Sequence, residues 1–255
     1  MLGAIAGDII GSVYEFNNIK TKDFELFHPD AFFTDDTVLT VALADSILTG
    51  ADYLDLVLEY YHRYPNRGYG GYFRRWAEYG PHTAYNSWGN GSAMRVSPVG
   101  FAYHTLEAVL DKARESAAIT HNHPEGIKGA QATAAAIFLA RTGHSQDEVK
   151  RYIEEHFGYD LSTPLAEIRP QYSFDESCQG TVPQAIRAYL EASDWEDAVR
   201  NAISLGGDSD TLACITGGIA QAAFGLPQAV ADEALNRLDA HLLQIQQEFE
   251  QFLMG

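Results

Sequence analysis

The sequence predicts an all-α fold, with residues 1–255 forming one domain. Three observations carry that reading. Apolar residues recur at helical spacing along most of the chain, period-2 alternation is almost absent, and several helical stretches are framed by capping residues. No repeat of fixed period and no flexible linker divides the chain.

The first segment, "MLGAIAGDIIGSVYEF", carries Gly3, Gly7 and Gly11 at i, i+4 and i+8. That spacing leaves one helix face bare, so a second backbone can approach closely. A further apolar helix begins after "FFTDDT" at residue 38. Helical patterns then cover residues 51–64, 106–119, 129–141, 146–157, 181–192, 195–205 and 229–252. Ser145 with Glu148 forms a capping-box signature, Ser193 and Asp194 precede Trp195, and Gly143 and Gly158 mark two helix ends. The last pattern, polar on one face, predicts a single long helix on the outside of the bundle. Two stretches resist helix: residues 65–98, rich in Gly, Tyr and Asn, and the irregular residues 159–179. Both are full of aromatics and predict functional loops.

Composition excludes some functions. A net charge of −18 argues against a surface that binds nucleic acid by neutralising phosphates. A phosphate-bearing ligand would need backbone N–H groups, a metal or a few local arginines. No apolar run reaches the roughly 18 residues of a membrane span. The opening segment lacks a basic region and places Asp8 inside its apolar stretch, which does not fit a secretory signal. Cys178 and Cys214 have no metal spacing and read as buried reduced thiols, so the expected compartment is the cytoplasm.

The chemistry is expected at two helix mouths. Thr34-Asp35-Asp36-Thr37 places two carboxylates where one capping oxygen would suffice. "LGGDSDTLACITGGIAQAAFG", from Leu205, repeats the arrangement with Asp208, Asp210 and Thr211 before a helix too apolar for the surface. Buried carboxylates need cations, and no Lys or Arg lies in either cluster. Hard divalent ions suit Asp and Thr oxygens, and four aspartates match the charge of two such ions. The absence of a His or Cys cluster argues against zinc. Glu15 ends the glycine-striped segment and could move a proton beside the metals.

These stretches, together with "SWGNGSAMRVSPVG" and "ITHNHPEGIKGA", resemble the ADP-ribosylglycohydrolase family, in the family's order and to beyond Gly225. "SWGNGSAMRVSPVG" looks closer to bacterial members than to animal ones. The resemblance implies a single compact orthogonal multi-helix bundle holding two Mg²⁺ (or Mn²⁺) ions at the base of a cleft. Thr34, Asp35, Asp36, Asp208, Asp210 and Thr211 would ligate the metals, and Glu15 and Asp36 would act in catalysis. Trp88, Gly89, Asn90, Gly91, Ser92 and His121 would bind ADP-ribose, with the glycines at 89 and 91 letting backbone N–H groups approach the diphosphate. Tyr85 or Trp88 would stack on adenine. Arg95 would either reach a metal-cluster carboxylate or support the loop, and His123 would belong to the turn. The implied activity is hydrolytic release of ADP-ribose from an ADP-ribosylated protein or a small ADP-ribose conjugate. A metal-dependent phosphohydrolase and a non-catalytic ADP-ribose-binding or structural protein are the alternatives.

Overall fold

A computed structural model describes all 255 residues and shows fifteen helices and no strands. In chain order they are α1 (Leu2–Gly11), α2 (Asp35–Thr49), α3 (Tyr53–Arg63), α4 (Gly71–Tyr79), α5 (Gly91–Met94), α6 (Ser97–Ala102), α7 (Leu106–Ala118) and α8 (Pro124–Arg141). They continue with α9 (Gln146–Phe157), α10 (Leu165–Ile168), α11 (Cys178–Leu190), α12 (Trp195–Ile203), α13 (Ser209–Phe224), α14 (Gln228–Asn236) and α15 (Ala240–Met254).

The axis of the bundle is α13. Its residues from Ser209 to Ala220 are all buried, which only a helix apolar on every side tolerates. Against it pack α1, α8, α11 and α12, while α2 packs on α3 and α15. One cluster of 70 buried apolar residues runs through these helices.

The glycine stripe is what seats α1 on α13. A Cβ added at Gly3 would lie 2.5 Å from the Gly217 carbonyl oxygen, one at Gly7 2.0 Å from that of Ala213, and one at Gly11 2.5 Å from the Cα of Asp210. The two backbones touch, so the first turns of α13 are held directly beside the last turns of α1.

The structure corrects three expectations about elements, the first at residues 159–179, which contain the short α10 and the start of α11. Residues 229–252 form two helices, α14 and α15, not one. Asp239 breaks the run by accepting hydrogen bonds from the amides of His241 and Leu242, which starts a new helix in mid-pattern. The stretch 65–98 is not free of helix either: it contains α4, α5 and the start of α6. α4 buries Phe73, Trp76 and Ala77, and Phe73 stacks on Tyr69 at 5.4 Å. Tertiary aromatic packing overrides the poor local helix composition there. Cys178 and Cys214 are free and buried, as expected.

Candidate active site

A cavity of about 490 Å³ opens between the N-termini of α2 and α13 on one side and the segment leading into α5 on the other. Glu15, Asp35, Asp36, Asp208, Asp210 and Thr211 line it, together with Trp88 to Gly91 and His121. Residues as far apart as Glu15 and Thr211 thus share one cavity.

At the α2 mouth, the capping need is met by Thr34, whose hydroxyl accepts from the Asp36 amide at 3.3 Å. The carboxylates are therefore surplus to the helix. At the α13 mouth, Asp208 occupies the capping position but makes no side-chain capping bond. Its carboxylate instead accepts from Asn90 Nδ2 at 2.7 Å. Gly206 and Gly207, both with positive φ, make the turn that swings Asp208 into the cavity. Asn18 clamps this turn, accepting from the Gly207 amide at 2.7 Å and donating to its carbonyl at 2.9 Å.

The carboxylates form two groups that share Asp210. Asp8, Asp36 and Asp210 bring oxygens within 4.8 Å of one another, and so do Glu15, Asp208 and Asp210. Asp8 was not among the sequence-derived candidates. It is fully buried on α1, and the amides and hydroxyls of Thr34 and Thr37 all donate to its carboxylate, Thr34 at 2.9 and 2.6 Å and the Thr37 amide at 3.1 Å. With four donors on two oxygens, Asp8 ties the α2 mouth to α1. The one signal for it in the sequence is a lone carboxylate inside an otherwise apolar, glycine-striped helix.

Asp36 is in the opposite state. Its Oδ2 accepts from Thr211 Oγ1 at 3.4 Å, whereas its Oδ1 is buried with no hydrogen-bond donor. No Lys or Arg forms an ion pair with any of these acids; the ten ion pairs of the protein lie elsewhere. An orphaned buried carboxylate oxygen amid hard oxygen donors is what a divalent cation fits. The same crowding shows in acidity. Burial first, then the neighbouring carboxylates, holds Asp35, Asp36 and Asp210 well above the usual carboxylate range. Burial lifts Asp8 to about 6 against the pull of its Thr34 and Thr37 hydrogen bonds. Burial together with Asp208 and Asp8 lifts Glu15 to about 7.

The far end of the cavity is built from main chain. Gly89 pairs with Ser177, the Asn90 amide donates to the Glu176 carbonyl at 2.8 Å, and the Cys178 amide donates to the Trp88 carbonyl at 2.9 Å. Ser92 Oγ donates to the Gly126 carbonyl at 2.7 Å, so this side chain fastens the turn to α8. The glycines leave room for the His121 ring, whose Nε2 lies 3.2 Å from a Cβ position at Gly91. His121 is buried, and desolvation and then the Arg95 charge hold its pKa well below the usual imidazole range. Tyr85 is wedged between Trp76 and His121, while Trp88 is 54% exposed and packs on His123. His123 caps α8, as expected of a turn residue.

Arg95 does not reach a carboxylate. It is fully buried, and its Nη2 donates to the Ser116 carbonyl at 2.8 Å and to Thr120 Oγ1 at 3.0 Å. Its role is support, the second of the two expectations.

Comparison with known proteins places this cavity in context. The sequence model of the ADP-ribosylglycohydrolase family matches residues 1–253. The mouse ADP-ribosylhydrolase ARH3 is 29% identical, over 89% of this chain and 83% of its own length. The ADP-ribosylarginine hydrolase Tri1 of Pseudomonas putida (strain GB-1) is 25% identical, over 89% of this chain and 70% of its own. A solved structure described as an ADP-ribosylglycohydrolase-related protein complex superposes with a TM-score of 0.70 at 26% identity, covering 99% of this chain and 95% of that one. The chain belongs to the ADP-ribosylglycohydrolase family.

Proposed function

We propose that this chain hydrolyses the bond between C1″ of the distal ribose and its acceptor in an ADP-ribosylated protein side chain or small ADP-ribose conjugate, releasing ADP-ribose. The observation that carries the reading is the pairing, in one cavity, of two adjoining carboxylate groups containing the orphaned Asp36 Oδ1 with a main-chain turn suited to a diphosphate. Two Mg²⁺ or Mn²⁺ ions would be held by Asp36, Asp208 and Asp210, with Thr34, Asp35 and Thr211 completing the oxygen donors. Bound there, the ions supply Lewis-acid charge that orients ribose hydroxyls and water.

The remaining work falls to the chain's own side chains. The Gly89–Gly91 turn and His121 hold the diphosphate, which fixes the distal ribose at the carboxylate end. Carboxylates around Asp36 and Asp210 stabilise positive charge as it develops at C1″. The water oxygen bonds to C1″ while the C1″–acceptor bond breaks with its electron pair going to the acceptor. Glu15, at the edge of the second carboxylate group, takes the water proton and returns a proton to the departing acceptor. Trp88, with one face exposed beside the turn, offers a stacking surface for adenine.

The relatives' names are those of an ADP-ribosylhydrolase and an ADP-ribosylarginine hydrolase. The test is therefore incubation with ADP-ribosylated arginine, ADP-ribosylated serine and acetyl-ADP-ribose, with Mg²⁺ or Mn²⁺ and with EDTA. Metal-dependent appearance of intact ADP-ribose by mass, from one of these, is the expected result. Release of phosphate or AMP instead would make the chain a phosphohydrolase. Binding of ADP-ribose with no turnover of any conjugate would make it a binding protein.

A further inference from the structure

Thr120 is fully buried just before His121, and its hydroxyl has two partners. Arg95 Nη2 donates to Oγ1 at 3.0 Å, and His121 Nδ1 lies 2.7 Å from the same oxygen. A guanidinium has donors only, whereas a threonine hydroxyl has one donor and two acceptor positions. Thr120 therefore accepts from Arg95, and the single acceptor placed to receive its hydrogen is His121 Nδ1. If Nδ1 carried the proton instead, the hydroxyl hydrogen would be stranded in a site that water does not reach.

We infer that the Arg95–Thr120 pair fixes His121 as the Nε2–H tautomer, so that its ring presents a donor to the Gly89–Gly91 turn. Arg95 is then a positioning residue acting through Thr120, which gives a use to a fully buried guanidinium that forms no ion pair. Its Nη2 also donates to the Ser116 carbonyl at 2.8 Å, which anchors the guanidinium to the last turns of α7. The other end of the ring is where a ligand would meet it. Cβ positions at Gly91 and Gly89 lie 3.2 and 3.6 Å from Nε2, and this nitrogen makes no hydrogen bond within the protein. The depressed basicity of His121 agrees with this arrangement, because an imidazolium would leave Thr120 without an acceptor.

The tautomer follows from geometry at Thr120; its use in holding a ligand rests on reading the cavity as an ADP-ribose site. The experiment reads the two separately. Histidine side-chain ¹⁵N correlation spectra of the full, Mg²⁺-loaded chain report which His121 nitrogen bears hydrogen, in the wild type, Thr120→Val and Thr120→Ser. Calorimetric titration with ADP-ribose gives affinity for the same three proteins. The wild type and Thr120→Ser are expected to show Nε2–H and affinities within about twofold of each other. Thr120→Val is expected to show a mixture of tautomers and roughly tenfold weaker binding, the loss of about one hydrogen bond. Nδ1–H in the wild type, or an unchanged tautomer in Thr120→Val, overturns the relay. A changed tautomer with unchanged affinity overturns its role in ligand presentation. A wild type that binds no ADP-ribose at all contradicts the function proposed above, while the spectra still decide the relay.

Discussion

At one end of the cavity, four carboxylates from α1, α2 and the segments beside α1 and α13 gather around Asp210. At the other, a turn of two glycines and Asn90 is pinned by main-chain bonds to Glu176 and Cys178. The first end is built from charge that the protein leaves uncompensated, and Asp36 Oδ1 has no donor at all. The second is built from neutral groups: backbone amides and an imidazole kept uncharged. An anionic end that needs a cation and a neutral end that needs none should respond differently to mutation, pH and metal. Under the proposed function, a chain of net charge −18 would hold a diphosphate by directed donors in place of a basic surface.

The largest effect is expected from Asp210→Asn, because Asp210 belongs to both carboxylate groups. Turnover should fall by at least roughly 100- to 1,000-fold, the range for losing a key electrostatic group, with helical circular dichroism retained. Activity within tenfold of wild type would break the contrast outright.

Next in size is the response to metal and pH. Burial, helped at Glu15 by Asp208 and Asp8, raises the folded-state values of Asp8 to about 6 and Glu15 to about 7. Raised carboxylates contribute stability below their unfolded values and lose it as pH rises through the folded ones. The metal-free protein should therefore lose stability between about pH 4 and pH 7, and bound cation should offset that loss. Saturating Mg²⁺ or Mn²⁺ is expected to raise Tm by roughly 5–10 °C at pH 8, following the usual ligand linkage, and by less at pH 5.5. Equal shifts at the two pH values in a thermal scan would count against the cluster as the metal site.

The neutral end should be insensitive to metal and sensitive to space. Gly91→Ala would place a methyl 3.2 Å from His121 Nε2 and narrow the turn. ADP-ribose affinity is expected to drop about tenfold, roughly 1.4 kcal/mol, with the metal-induced Tm shift unchanged. A smaller effect is expected for Trp88→Ala. Losing a half-exposed stacking surface should cost about 0.5–1.5 kcal/mol in ADP-ribose affinity, read by the same titration. No loss at all would leave Tyr85 as the candidate partner of adenine.

Much of this architecture could be read before folding because the deciding signals are local. The predicted range 146–157 coincides with α9, since Ser145 and Glu148 form a true capping box and Gly158 ends the helix in the left-handed region. The glycine stripe correctly announced a backbone contact, although its partner could not be named from sequence. The doubled aspartates at two helix mouths were legible for the same reason: a cap needs one oxygen. What escaped was decided by tertiary contacts. α4 exists because Tyr69, Phe73 and Trp76 pack together, which no local propensity reveals. The break at Asp239 hides inside an unbroken apolar pattern. Asp8 stands alone in its helix, and its four donors come from a segment 26 to 29 residues away.

The most direct measurement is a calorimetric titration of Mn²⁺ into the metal-stripped protein and into Asp36→Asn. Two ions are expected to bind per wild-type chain, and one or both to be lost in the variant, whose Oδ1 carboxylate charge is gone. A wild-type chain that takes up no Mn²⁺, or a variant that binds it with the same stoichiometry and affinity, would contradict the claim that these surplus carboxylates exist to hold metal.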